Sequence, residues 1–245
     1  MDAIFAERLT KLYGSFVAVN SIDFRVEEGS SFALIGPNGA GKTTTLRMIT
    51  GLISPTSGTL RVLGGNPRDK DVRRQMSILP EDAGVYEKLT VRETIYYYGL
   101  LRGLSRTDAS ARTEELIKRL GLEFKTDEYG SKLSKGLKRK ALLGMCLVND
   151  PKLLVLDEPT DGLDVRSARA VRDLLLGLLK EGKSIVVTSH DMMEIQTLAR
   201  TIALIDRGKL TAIGEPEQLM AEFGLPSLED LFIKLTQPEP DSIAS

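Results

Sequence analysis

The sequence predicts an α/β fold with a mostly parallel sheet, an antiparallel β edge subdomain and an inserted α-helical subdomain. Three observations predict it. Four short runs, "SFALI" (31–35), "LLVLD" (153–157), "SIVVTS" (184–189) and "TIALID" (201–206), are apolar throughout their centres instead of alternating. Parallel strands covered on both faces read that way. The first three runs are each followed by a helical pattern, as βα units require. The stretch from Val91 to Asn149 is helical in pattern from end to end, which marks an inserted block.

In chain order, residues 3–29 alternate more and carry turn residues at Tyr13-Gly14-Ser15, so they read as antiparallel strands at an edge. "SFALI" is a buried strand; a glycine-rich turn and the helix "TTLRMITGL" follow. The helical block holds "VRETIYYYGLLRG", "DASARTEELIKRLGL" and "SKGLKRKALLGMCLVN". After "LLVLD", Ala168, Val171, Leu175 and Leu178 fall on one helix face at three- and four-residue spacing. After "SIVVTS" a helix is expected from about Met192 to Arg200. The polar, proline-containing "QPEPDSIAS" (237–245) reads as a flexible tail.

Composition narrows the class. With 42% hydrophobic and 27% charged residues, the 245-residue chain has the balance of a soluble globular protein. A formal net charge of -1 supplies no global field for nucleic acid or an anionic membrane. Lys132, Lys135, Lys138, Arg139 and Lys140 form a local basic cluster, either a solvated helix face or a surface for phosphate or a partner. The single cysteine, Cys146, stands in "ALLGMCLV" and reads as a buried small hydrophobe. The N-terminus has an early acid and no long apolar core, so no signal peptide is expected. The longest apolar runs fall far short of the ~20 residues that span a bilayer.

The chemistry concentrates in a few motifs. "GPNGAGKTT" (Gly36, Pro37, Asn38, Gly39, Ala40, Gly41, Lys42, Thr43, Thr44) follows a predicted strand and opens a predicted helix. That context makes it a phosphate-binding loop and the core a P-loop NTPase core. Gly36, Gly39 and Gly41 are expected at positive φ, turning backbone N–H groups into an anion nest at a helix N-terminus. Lys42 offers a point charge to the β- and γ-phosphates, Thr43 a hydroxyl to Mg²⁺, and Thr44 a hydroxyl to the α-phosphate. "LLVLDEP" ends a buried strand on Asp157 and Glu158, at the sheet edge where α/β proteins bind ligands. One acid suits Mg²⁺ through water and the other suits a proton from an attacking water.

Taken in order, these motifs resemble the nucleotide-binding subunit of an ATP-binding cassette (ABC) transporter over nearly the whole chain. "LSKGLKRK" is similar to the family's signature L-S-G-G-Q, with Ser134 and Gly136 at the serine and second glycine. "GLD" at Gly162 to Asp164 resembles its D-loop. The resemblance puts Tyr13 where an aromatic stacks on adenine, and His190, the chain's one histidine, where the family contacts the γ-phosphate and the attacking water. Ser189 or Asp191 can also cap the helix after "SHD". Two departures stand out. Glu81 holds the Q-loop position, where the family uses a glutamine that reaches Mg²⁺ and senses the membrane subunit; Lys135 and Leu137 replace the first glycine and the glutamine of the signature. Such substitutions, and "LPSLEDLFIKLT" near the C-terminus, resemble sodium-export and drug-resistance (ABC-2 type) ATPases.

The resemblance implies one ABC ATPase domain over 1–236, with the helical subdomain at approximately 88–149 inserted in a RecA-like core. It implies a Mg-dependent ATPase using ATP and Mg²⁺, with Glu158, His190 and Lys42 in hydrolysis and Thr43, Asp157 and Glu81 at the metal. The partners implied are separate transmembrane permease subunits and a second ATPase copy paired head-to-tail, with no nucleic acid, at the cytoplasmic face of the cell membrane. Tyr96, Tyr97 and Tyr98 would rim the groove for the membrane subunit, with part of the set in the subdomain core. The rival reading is a soluble non-transport ABC ATPase serving a cofactor-assembly or nucleic-acid complex.

Overall fold

Uniformly apolar strands must be buried on both faces, and the fold meets that demand with two cores. The computed structural model describes residues 1–236; the tail expected over 237–245 lies outside the described residues. The elements run β1 (Asp2–Tyr13), β2 (Phe16–Glu27), β3 (Ser31–Ile35), α1 (Lys42–Ile49), β4 (Ser57–Val62), α2 (Lys70–Arg74) and β5 (Met76–Leu79). Then come α3 (Val91–Leu101), α4 (Arg106–Arg119), α5 (Lys135–Leu147), β6 (Leu153–Asp157), α6 (Val165–Lys180), β7 (Ser184–Thr188) and α7 (Met192–Leu198). The chain continues with β8 (Thr201–Asp206), β9 (Lys209–Gly214), α8 (Pro216–Phe223) and α9 (Leu228–Thr236).

One sheet of six strands has the order β5-β6-β7-β3-β8-β9. Its neighbours are parallel except β9, which runs antiparallel to β8. Successive side chains leave a strand on opposite faces. Thus Ala33 and Ile35, Leu154 and Leu156, and Ile185 and Val187 join a core with Ile95, Leu116, Leu143 and Leu175 of the helices. Phe32, Leu34, Leu153, Val155 and Val186 join a second core with Ile4, Leu9, Ile22, Leu46 and Ile49. Polar residues of β3, β6 and β7 sit only at the strand ends, at Ser31, Asp157, Ser184 and Thr188, where each finds a hydrogen-bond partner, because burying an unpaired polar group is unfavourable.

The antiparallel subdomain is a separate sheet of three strands, β2-β1-β4. Gly14, at φ +60°, turns β1 into β2, with Tyr13 paired to Phe16 across the turn. The strands β4, β5 and β9 carry no clear sequence signal. β5 has only four residues, β4 opens on Ser57-Gly58, and every side chain of β9 is exposed or half-buried.

The helices α3, α4 and α5 fall between β5 and β6 in sequence. Thr90 starts α3 with a reciprocal capping box to Glu93. A Cβ at Gly144 of α5 would lie 2.7 Å from Cδ1 of Ile95, so the two helices pack in close contact. Emptying such a position, as in Ile95→Ala, costs about 2–5 kcal/mol. Of the three tyrosines, Tyr97 is exposed, while Tyr98 packs on the core. Cys146 is buried, and burial pushes its thiol up to about 12. The basic cluster divides: Lys132 and Lys135 are exposed, whereas Arg139 is buried among the helices.

Candidate active site

Three strands stop together at one edge of the parallel sheet. β3 ends at Ile35, β6 at Asp157 and β7 at Thr188, and Asp157 pairs in register with Thr188. Ligands of open α/β sheets gather at this carboxyl edge.

From Ile35 the chain enters the loop Gly36 to Gly41 and turns into α1 at Lys42. Gly39 has φ +80° and Gly41 φ +113°, as expected for a loop that turns its N–H groups inward. Gly36 departs from the expectation. Its φ is not positive, and it is required for space: an added Cβ would run into the carbonyl of Ile205 on β8. Gly41 meets both demands, since a Cβ there would also lie 2.5 Å from the carbonyl oxygen of Ala18.

Lys42 is buried, and its Nζ donates to the carbonyls of Gly36 at 2.6 Å and Pro37 at 3.2 Å. Burial pulls its ammonium below the usual lysine range, while Glu158, Asp157 and Glu81 oppose that pull. Asp157, also buried, accepts from Thr188 Oγ1 through Oδ1 at 2.5 Å and from Thr43 Oγ1 through Oδ2 at 3.5 Å.

Glu158 follows with φ +48°, a left-handed conformation that costs a non-glycine residue about 1–3 kcal/mol. The end of β7 holds it there. Its N–H donates to Thr188 Oγ1 at 3.1 Å and to the Thr188 carbonyl at 3.2 Å. Oε2 accepts from the backbone N–H of His190 at 3.1 Å. Nε2 of His190 stands 3.1 Å from Oε1, yet Oε1 is buried and makes no hydrogen bond among the described residues. Burial pushes the Glu158 carboxyl up to about 7, against the His190 N–H and the Lys42 ammonium, which favour its charged form.

One cleft is lined by Tyr13, Pro37, Asn38, Gly39, Gly41, Lys42, Thr43, Thr44, Glu81, Asp157, Glu158 and His190. Gly36 and Ala40 are buried and do not line it. Glu81 reaches the cleft from the exposed turn after β5. Ser134 and Gly136 do not line it. They open α5, with Ser134 capping the Leu137 N–H and Gly136 packed tightly against Ser167 of α6. Asp191 caps α7, accepting from Met193 and Glu194.

Three contributors escaped the sequence. Thr188 binds both acids at once, through a hydroxyl that donates to Asp157 and accepts from Glu158. Its only signal was its place at the end of an apolar run beside "SHD". Phe16 and Ala18 line the cleft next to Tyr13, brought there by the antiparallel hairpin. Among the described residues no group of three or more His, Cys, Asp or Glu is gathered as a metal site. Mg²⁺ needs no such cage, since it is held by one or two carboxylates together with substrate phosphates.

Residues 19–161 match the ABC transporter family. The chain is 38% identical over 231 residues to the Nod factor export ATP-binding protein I of Paraburkholderia xenovorans, covering 93% of this chain and 76% of that protein. It is 35% identical over 234 residues to the linearmycin resistance ATP-binding protein LnrL of Bacillus subtilis, covering 94% and 74%. A solved ATP-binding subunit of an ABC transporter superposes with a TM-score of 0.86 at 28% identity, over 96% of this chain and 100% of that one.

Proposed function

Because the chain belongs to the ABC transporter family, as an ATP-binding subunit, we propose that it hydrolyses Mg-ATP to drive export through separate membrane subunits. The observation that carries the mechanism is the place of the Glu158 carboxyl. Glu158 lines the cleft that holds Lys42 and the glycine loop, and its Oε1 is buried beside Nε2 of His190, 3.1 Å away, with no hydrogen bond among the described residues. A buried acceptor left unpaired is costly unless something uses it.

The cleft suits a triphosphate. Gly36 has no room for a Cβ, Gly39 and Gly41 supply the left-handed turns, and α1 presents its N-terminal amides. Lys42 binds the phosphates by charge, and its buried stem fixes where that charge sits. Tyr13 offers a flat face to adenine, with Phe16 beside it. Thr43 and Asp157, already in contact, are the groups that would hold Mg²⁺, with Glu81 at the rim. When bound, Mg²⁺ neutralises charge on the β- and γ-phosphates. Glu158 takes the proton from the attacking water, and His190, whose Nε2 stands 3.1 Å from the Glu158 carboxyl, orients that water. Lys42 and the loop amides stabilise charge on the transferred phosphoryl group.

Ser134 and Gly136 lie outside the cleft of their own chain, which supports a head-to-tail pair in which each copy completes the other's site. Among the described residues no helix is long and apolar enough to cross a membrane; the relatives' description as export and resistance ATP-binding proteins supports separate spanning subunits. The export and resistance roles named for the two relatives support outward transport at the cytoplasmic face.

Glu158→Gln tests the reading. The variant keeps the shape of the site and binds ATP, and steady-state hydrolysis drops about 10²- to 10⁴-fold. Retention of more than half of the wild-type turnover would remove Glu158 from the role of base.

A further inference from the structure

Glu194 has no solvent exposure, although it is the third residue of α7, in its first turn. Its neighbours Ile195 and Leu198 fill the same interior with apolar side chains. A carboxylate in that position is costly unless it is hydrogen-bonded. Among the described residues only one of its oxygens is satisfied. Oε2 accepts from Thr160 Oγ1 at 2.7 Å and from Ser189 Oγ at 2.5 Å, while Oε1 is buried with no partner there.

The two donors come from different segments. Thr160 lies two residues after Glu158, in a tight turn where the Asp161 N–H donates to the Glu158 carbonyl at 3.2 Å. Ser189 lies one residue before His190, and its Oγ also accepts from the Asp191 N–H at 3.1 Å. A single carboxylate oxygen therefore joins the segment that carries the base to the segment that carries the imidazole. The His190 side chain is 53% exposed, so its place depends on its contacts with Glu158 and on the segment that carries it.

We propose that Glu194 is a positioning residue for hydrolysis: by holding Thr160 and Ser189 on one oxygen, it sets Glu158 and His190 at their mutual distance. The proposal rests on the assignment of base and water-orienting group to those two residues. It does not depend on the charge of Glu194, since Oε2 accepts both hydroxyls in either protonation state.

The test uses the full chain and measures kcat, KM for ATP, equilibrium ATP affinity and thermal unfolding. Glu194→Ala frees both segments and lowers kcat by about tenfold to a hundredfold, the usual cost of misplacing a reacting group by about an ångström. ATP affinity stays within about twofold, because the phosphate loop is untouched. Glu194→Gln keeps one oxygen for both hydroxyls and recovers most of the lost kcat. If the alanine variant does not fold, Thr160→Val and Ser189→Ala each cut one arm, and each lowers kcat with ATP affinity preserved. An unchanged kcat in the alanine variant, or in both arm variants, overturns the proposal. So does an equal loss in Glu194→Gln, or a loss that runs in parallel in kcat and ATP affinity. Glu158→Gln is assayed alongside: its own retained turnover would overturn the assignment of the base, whereas an inactive Glu158→Gln beside a fully active Glu194→Ala would overturn the role of Glu194 alone.

Discussion

His190 grips Glu158 twice: its backbone N–H donates to Oε2 at 3.1 Å, and its Nε2 stands 3.1 Å from Oε1. The backbone contact fixes one oxygen, and the other faces the imidazole at the border of the cleft. The strained φ of Glu158 aims the carboxyl out of the sheet edge, and the two bonds to Thr188 hold that strain in place. The only histidine of the chain thus has a geometric reason to stand at the end of β7.

The acidity of Glu158 sets a pH profile. Burial pushes its carboxyl up to about 7, so the free protein holds a proton there below that pH. A general base works only when ionised, and kcat/KM reports the state of the free enzyme. With Mg²⁺ in excess, kcat/KM is therefore expected to fall about tenfold per pH unit below about 7 and to level off above it. A profile that is flat from about pH 5.5 to about 9 would contradict the assignment.

The sign for stability is opposite to that of an ordinary ion-paired acid. A carboxyl whose folded pKa is raised keeps its proton while the unfolded chain has lost it, so this group's contribution falls as pH rises from about 4.5 to about 7. The cost is held in the native state and turned to use, which suits a group kept for chemistry more than for packing.

Much of this was legible in the sequence because its physics is local. The glycine loop is contiguous, and Gly39, Gly41, Lys42 and Thr43 reach the cleft from a single turn. Uniform apolarity of "LLVLD" and "SIVVT" followed from cores on both faces of the sheet. The rest needed contacts between distant segments. Gly36 lacks a side chain because Ile205 approaches it, and Thr188 matters because β7 lies beside β6. Phe16 reaches the cleft through the pairing of β1 with β2. Glu194 sat in view in "HDMMEI", but nothing in that stretch shows that Thr160 points at it.

Lys42→Ala should weaken the binding of ATP itself. Among the described residues the ammonium is the only lysine or arginine charge lining the cleft, against Glu81, Asp157 and Glu158. Its loss leaves three carboxylates facing the phosphates and takes the donor from the carbonyls of Gly36 and Pro37. A hydrogen bond to a charged group is worth about 1.5–3 kcal/mol, so affinity should drop roughly 10- to 150-fold. Equal ATP affinity of the two proteins in calorimetry would refute the role of Lys42.

Glu81→Gln isolates a single charge. Glu81 lines the cleft from an exposed turn and acts electrostatically on Lys42. The glutamine keeps the shape and one acceptor oxygen but removes a negative charge from the side of the triphosphate. Because the residue is exposed, solvent screens it, and a pair of this kind is worth about 0.2–1 kcal/mol, or roughly one- to fivefold in an equilibrium constant. Two effects with opposite signs follow. Without Mg²⁺, ATP should bind more tightly to the variant, since one repulsion is gone. With Mg²⁺, the half-saturating concentration should rise, since the metal loses the pull of a nearby carboxylate. A Mg²⁺ titration of ATPase activity at fixed ATP and fixed ionic strength separates the two proteins if Glu81 faces the metal. Superimposable curves, with equal ATP affinity in the absence of the metal, would make Glu81 a surface acid that merely borders the cleft, and would leave Lys42, Asp157 and Glu158 in their roles.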